Sequence, residues 1–155
     1  MELTDLTPEL YERIELAASN LRDKLLIRFL GRLGCRVSEA LGVEVPDVNF
    51  TREIVIVAKT STYYHRLVPV DRETLIMLRA FFNVGGPVSK KGKTLIFGIN
   101  RHRAWQIVKE CAERANLPKL ENRETGLMHN ISPALLREIF APPKYQIARK
   151  KMETD

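Results

Sequence analysis

The stretch Gly34-Cys35-Arg36-Val37-Ser38-Glu39-Ala40-Leu41 decides how the rest of the chain is read. Before it, Leu21, Leu25, Leu26, Phe29, Leu30 and Leu33 recur at three- and four-residue spacing, the stripe of a core-facing helix that Asn20 can cap. Gly34 suits the left-handed residue that ends such a helix. Arg36 then precedes a short helical turn, Val37 to Leu41, which Gly42 closes. A guanidinium beside a helix N-terminus can face a phosphate, because the amides and the fork both favour an anion. In isolation the octapeptide reads more simply as a surface arginine with a serine cap.

Upstream, Thr7-Pro8-Glu9 opens a helix to about Ala18, with threonine as cap and proline in the first position. Downstream, Val45 to Phe50 is extended and interrupted by Pro46. Ile54 to Val57 is a β-branched strand, and Tyr64 to Val70 is a second one, with Lys59 to Tyr63 as the tip between them. Asp71 caps a helix with Leu75, Ile76, Leu78, Phe81 and Phe82 available for packing. Asn83 to Lys93 reads as a flexible loop, and Thr94 to Phe97 as a short apolar stretch. Asn100 caps a helix to about Ala115, with Trp105, Ile107, Val108 and Cys111 as candidate buried positions. Lys119 to Asn130 is a polar loop, and Ser132-Pro133 opens a helix that Pro142-Pro143 stops. The expected class is therefore α+β: mainly helical with a small antiparallel sheet.

Two further segments bear on chemistry. Ala58-Lys59-Thr60, followed by His65-Arg66-Leu67-Val68-Pro69-Val70, sets a lysine where it can reach into a groove, although a solvated turn lysine is the commoner case. Ser132-Pro133-Ala134-Leu135-Leu136-Arg137 sets an arginine near a capped helix start, which alone is an ordinary amphipathic pattern.

Taken in order, the three segments resemble the tyrosine recombinase (phage integrase) family. Cys35-Arg36-Val37-Ser38-Glu39 is similar to its G-L-R-[IV]-S-E box. Ala58-Lys59-Thr60 with Arg66-Leu67-Val68-Pro69 is similar to its G-K-G-x-x-x-R-x-V-P hairpin. Ser132 to Arg137 is similar to S-P-H-x-L-R, and Phe140-Ala141 to the F-A that follows. Leu95-Ile96-Phe97 and the helix after it fit as well, so the likeness runs from about residue 4 to residue 141. Residues 1–141 are then one catalytic-like domain and residues 142–155 a divergent basic tail.

The resemblance implies a chemistry. In the family a tyrosine attacks a DNA phosphodiester, two arginines hold the non-bridging oxygens, and a lysine protonates the departing 5′ oxygen. Arg36 and Arg137 would be the clamp, a task suited to a bidentate, always-charged group. Lys59 would be the general acid. Neither metal nor cofactor is called for. The partner implied is double-stranded DNA, with other recombinase protomers as a second class of partner. Arg66, Lys90, Lys91, Lys93, Arg101, His102 and Arg103 cluster around expected loops and would contact DNA phosphates.

Three departures qualify this. Ala134 stands in place of a histidine, and Glu138 in place of a second one. The family's tyrosine, on a later helix beyond an L-G-H-type segment, has no match here, nor has its N-terminal DNA-clamping domain. Tyr145 follows two prolines and reads as a surface or packing residue, and His129 precedes the last helix in a loop. The chain is therefore expected to need a tyrosine from elsewhere, or to be a catalytically inactive DNA-binding or regulatory remnant. An unrelated basic helical protein is the remaining alternative.

Bulk properties agree with a polyanion partner. The 155 residues carry 25 lysines and arginines against 19 aspartates and glutamates, a net charge of +6. Apolar residues make up 45%, enough to build one domain core. No apolar run is long enough to span a bilayer, and the start lacks the plan of a signal peptide. A cytoplasmic, nucleoid-associated location follows as an expectation. Cys35 and Cys111 match no metal spacing and read as small buried residues.

Overall fold

A computed structural model describes residues 6–61, 64–117, 119–121, 125 and 127–140; the side chains of 58–61, 64–65, 120–121 and 128–129 lie outside that description. The first half is built on helix α2 (Leu21–Leu30), whose Leu25, Leu26, Ile27, Phe29 and Leu30 are fully buried. Asn20 caps it by accepting from the Asp23 amide at 2.8 Å. Helix α1 (Pro8–Leu16), capped by Thr7, ends two residues before the expected Ala18 and buries Tyr11 and Ile14 against α2. Helix α3 (Val37–Gly42) follows the turn at Gly34, which has φ +68°. An L-residue in that region is strained, so glycine is the natural occupant.

The expected extended run from Val45 to Phe50 is a 3-10 turn (Val45–Asp47) and a two-residue strand β1 (Val48–Asn49). Pro46 explains the turn, since it fixes φ and removes a ladder donor. Strands β2 (Ile54–Ser61) and β3 (Tyr64–Pro69) complete an antiparallel sheet in the order β1-β2-β3. Val55 pairs with Val68 and Val57 with Arg66, after which the register shifts before Ser61 meets Tyr64. Lys59 thus lies inside strand β2, in the irregular stretch, and not at a hairpin tip.

Helix α4 (Arg72–Asn83) is capped by Asp71, whose Oδ2 accepts from the Thr74 amide at 3.1 Å. Its buried face is Thr74, Leu75, Leu78 and Phe81; Ile76, expected to pack, points out and is 70% exposed. The expected flexible loop is instead a hairpin of β4 (Val88–Lys90) and β5 (Lys93–Leu95). Lys91 and Gly92 have φ of 51° and 77°, the two left-handed residues of a turn that matches strand twist. Beyond it Ile96 and Phe97 are buried, and the Phe97 ring stands edge-on to Phe29 at 5.1 Å.

Helix α5 (Arg101–Arg114) buries Ala104, Ile107, Val108, Cys111 and Ala112. Trp105, expected in the core, falls off that stripe and is 38% exposed. The expected polar loop contains a short pair, β6 (Leu120–Glu121) and β7 (Met128–His129). Helix α6 (Pro133–Arg137) stops well short of Pro142, and the chain turns so that Phe140 stacks edge-on against Tyr11 at 4.9 Å. Residue 141 and the tail 142–155, including Tyr145, lie outside the described residues.

The architecture is therefore α+β, with three small antiparallel sheets among the described residues rather than one. Cys35 and Cys111 are both buried and free. Among the described residues no helix is long and apolar enough to cross a membrane.

Candidate phosphate site at the Gly34 turn

The site is built where α2 ends. Residues Gly34 to Arg36 turn the chain so that Cys35 is fully buried and Arg36 faces solvent at the head of α3. The Arg36 amide donates to Glu39 Oε1 at 2.8 Å, which holds the start of the helix by a carboxylate one turn on. Among the described residues, no group hydrogen-bonds to the Arg36 guanidinium.

Two arginines from distant segments reach the same turn. Arg137, at the end of α6, donates from Nε to the Gly34 carbonyl at 3.3 Å. Arg66, in β3, donates from Nη2 to that carbonyl at 3.2 Å. Arg66 also pairs with Glu39 through Nε and Oε2 at 3.2 Å. Its side chain is 31% exposed and that of Glu39 12% exposed, so the pair is partly sheltered from solvent screening. Cys35 sits under this cluster. Burial pushes its thiol up to about 12, against the pull of Arg66 and Arg137, so it stays neutral.

The structure thus brings the Arg36 backbone, Arg66 and Arg137 together. Lys59 belongs to β2, two residues past the Val57 that pairs with Arg66; its side chain lies outside the described part. Ala134 and Glu138 are exposed on and just after α6. His129 is in β7, its side chain likewise outside the description.

The other basic positions are more dispersed. Lys90, Lys91 and Lys93 are exposed on the β4–β5 hairpin. Arg101 and His102 are exposed on the first turn of α5, where His102 meets Gln106 at 3.1 Å. Arg103 is half-buried and pairs with Glu110 at 3.4 Å. Among the described residues no cluster of three His, Cys, Asp or Glu side chains is arranged to hold a metal. Glu39 and Gly34 have their sequence signal in the Gly34–Leu41 stretch that contains both.

The fold is shared with tyrosine recombinases. A crystal structure of XerA recombinase superposes with TM-score 0.71 at 20% identity, covering 90% of this chain and 48% of that one. A lambda integrase dimer bound to a core site gives TM-score 0.64 at 15% identity, covering 99% of this chain and 57% of that one. Residues 4–146 match the phage integrase family, and the chain belongs to that family. The tyrosine recombinase XerD of Corynebacterium glutamicum is 33% identical over 130 residues, 79% of this chain and 39% of the relative. XerD of Neisseria meningitidis serogroup B is 34% identical over 129 residues, 78% of this chain and 40% of the relative. The chain spans about two fifths of the length of these curated relatives.

Proposed function

We propose that this chain is the phosphate-gripping part of a tyrosine-recombinase catalytic domain, acting on duplex DNA in site-specific recombination. Arg36 and Arg137 hold the non-bridging oxygens of the scissile phosphate, and Lys59 gives a proton to the departing 5′ oxygen. What supports the reading is one contact: Arg137, remote in sequence, donates to the carbonyl two residues before Arg36. Two guanidinium groups close to one anion position stabilise the charge that builds in the transition state. Lys90, Lys91, Lys93, Arg101 and Arg103 add sequence-independent phosphate contacts around this centre. The structures of lambda integrase on its core site and of XerH on its difH substrate are the precedent for a DNA partner and, in the first, for a second protomer.

Attack on phosphorus calls for a tyrosine from polypeptide outside the three matched segments, in this molecule or in a partner. A second reading is favoured by Ala134, which offers no proton-handling group where the resemblance expects histidine: a catalytically inactive DNA-binding or regulatory module.

The test has two arms. Binding of a labelled duplex across a salt series should give a steep linear loss of log affinity with log salt. Arg36→Gln and Arg137→Gln should each weaken binding by roughly fivefold or more. Equal affinity for parent and both variants would remove the clamp assignment. In the second arm, nicked suicide duplexes should give no covalent adduct with the 155-residue chain alone. An adduct that survives denaturant would place the nucleophile within it, with Tyr145 the first residue to substitute.

A further inference from the structure

We propose that Arg66 is a positioning residue, which with Glu39 locks the strand pair bearing Lys59 onto the turn bearing Arg36, rather than a contact to DNA. The inference rests on the clamp reading above and deepens it.

Arg66 is on β3, opposite Val57 of β2. Its guanidinium reaches from the sheet to the Gly34 turn. Nη2 donates to the Gly34 carbonyl at 3.2 Å and to Glu39 Oε1 at 3.4 Å, and Nε lies 3.2 Å from Glu39 Oε2 as an ion pair. The same Glu39 carboxylate accepts from the Arg36 amide at 2.8 Å through Oε1. One guanidinium and one carboxylate therefore join three backbone segments: the residue that ends the α2 turn, the head of α3, and β3. Since β3 is paired with β2, this link sets where the Lys59 strand stands relative to Arg36. A planar guanidinium is suited to this, because its fixed plane sets Nη2 between the carbonyl and the carboxylate while Nε faces the second carboxylate oxygen.

Charge gives the second argument. Arg66 and Arg137 donate to one carbonyl oxygen, so two like charges are held close together. The Glu39 carboxylate beside Arg66 offsets that repulsion. Without it the two guanidiniums would separate, and Arg137 would leave the position from which it serves a phosphate.

The sign of one substitution separates this from a DNA contact. On charge alone, Glu39→Gln removes an anion next to a phosphate site and tightens duplex binding. If Glu39 and Arg66 position the clamp, Glu39→Gln weakens it instead, by roughly three- to tenfold. Arg66→Lys keeps the charge yet loses the rigid plane and the Nε approach to Glu39 Oε2, so it weakens binding to a similar degree, whereas a phosphate contact would tolerate lysine. The two substitutions combined should cost little more than either alone.

A second readout needs no DNA. The Arg137 Nε–H proton, bonded to Gly34, should exchange with solvent faster in both variants, followed by NMR at temperatures well below their melting. Glu39→Gln that binds duplex as well as the parent, with Arg137 exchange unchanged, overturns the proposal. So does Arg66→Lys with parental affinity and exchange, should Glu39→Gln fail to fold. If Arg36→Gln and Arg137→Gln leave binding intact, the clamp reading fails by itself, and the exchange measurement still decides the positioning role.

Discussion

Arg66 and Arg137 donate to the same acceptor, the carbonyl oxygen of Gly34, at 3.2 and 3.3 Å. The two arginines come from a strand and from the last described helix, so that carbonyl is where the first, middle and last thirds of the described chain meet. The backbone at Gly34 must therefore point its oxygen into the cluster, and the left-handed φ of +68° is what turns it there.

Gly34→Ala should follow from this. A Cβ there would meet only the Arg137 carbonyl at 3.9 Å, so space is not the obstacle. The cost is conformational, about 1 to 2 kcal/mol, read as a lower urea midpoint. Duplex affinity should drop as well, because relaxing φ swings the shared carbonyl away. A midpoint equal to the parent would mean that the turn does not need glycine.

Gly31 and Gly42 should respond in opposite directions. A Cβ on Gly31 would lie 2.2 Å from the Tyr11 ring, which is fully buried and donates its hydroxyl to the Ile27 carbonyl at 3.1 Å. Gly31→Ala should destabilise by about 1 to 3 kcal/mol through overpacking. Gly42 has nothing within 4 Å, so Gly42→Ala should be neutral or stabilise by up to about 1 kcal/mol. Thermal melts of both variants decide, and a stable Gly31→Ala protein would contradict the packing of α1 on α2.

Arg28 should be the most sensitive charged residue. It is 1% exposed and pairs with buried Glu15, donates to Thr74 Oγ1 at 2.8 Å and meets Asp71 at 2.9 Å. Arg28→Met leaves Glu15 buried without its main partner, at a cost of about 3 to 5 kcal/mol. Adding Glu15→Gln should recover part of that loss. A double variant no more stable than Arg28→Met would show that Glu15 is compensated by other groups.

Acid should attack the same junction. Burial favours the protonated Asp71 carboxyl, yet the Thr74 hydroxyl and amide and the Arg28 guanidinium outweigh it and hold the group below its ordinary value. The folded-state pKa is thus lower than the unfolded value near 3.9. The contribution is complete above that value and is lost as pH falls through the folded one. Urea midpoints measured from neutral to acid pH should fall less steeply for Asp71→Asn than for the parent. Parallel curves would sink the assignment.

Cys35 should be chemically silent in the folded protein. With its thiol pushed up to about 12 and the residue fully buried, almost no thiolate exists at neutral pH. Cys111 is shifted in the same direction by burial. Both thiols should resist a disulfide reagent at pH 8 and react once denaturant is added. Native-state reaction at Cys35, located by peptide mapping, would show that the Gly34 turn opens.

Much of the fold was legible along the chain. Asn20, Asp71 and Asn100 sit at helix starts because each side chain accepts from the amide three residues on, a relation set by local sequence. The β-branched run Ile54 to Val57 is a strand, and the stripe from Leu25 to Leu30 is buried, because both patterns have the period of their element. What misled was side-chain chemistry without a partner in view. Trp105 and Ile76 are apolar but fall off their helices' buried stripes, and the glycine- and lysine-rich run after Asn83 hid a hairpin whose turn is Lys91-Gly92.

The sequence by itself determined the caps, the helix and strand periods, and the order of three basic segments, since all of these depend on residues within a few positions of one another. Only the tertiary structure decided that Arg66 turns inward to Glu39 and the Gly34 carbonyl while Arg36 faces solvent. Arg36 stands at the head of α3 and Arg66 inside β3. Their difference arises from the register of β2 on β3 and the docking of α6 on α2, and such long-range placements leave no mark on local pattern.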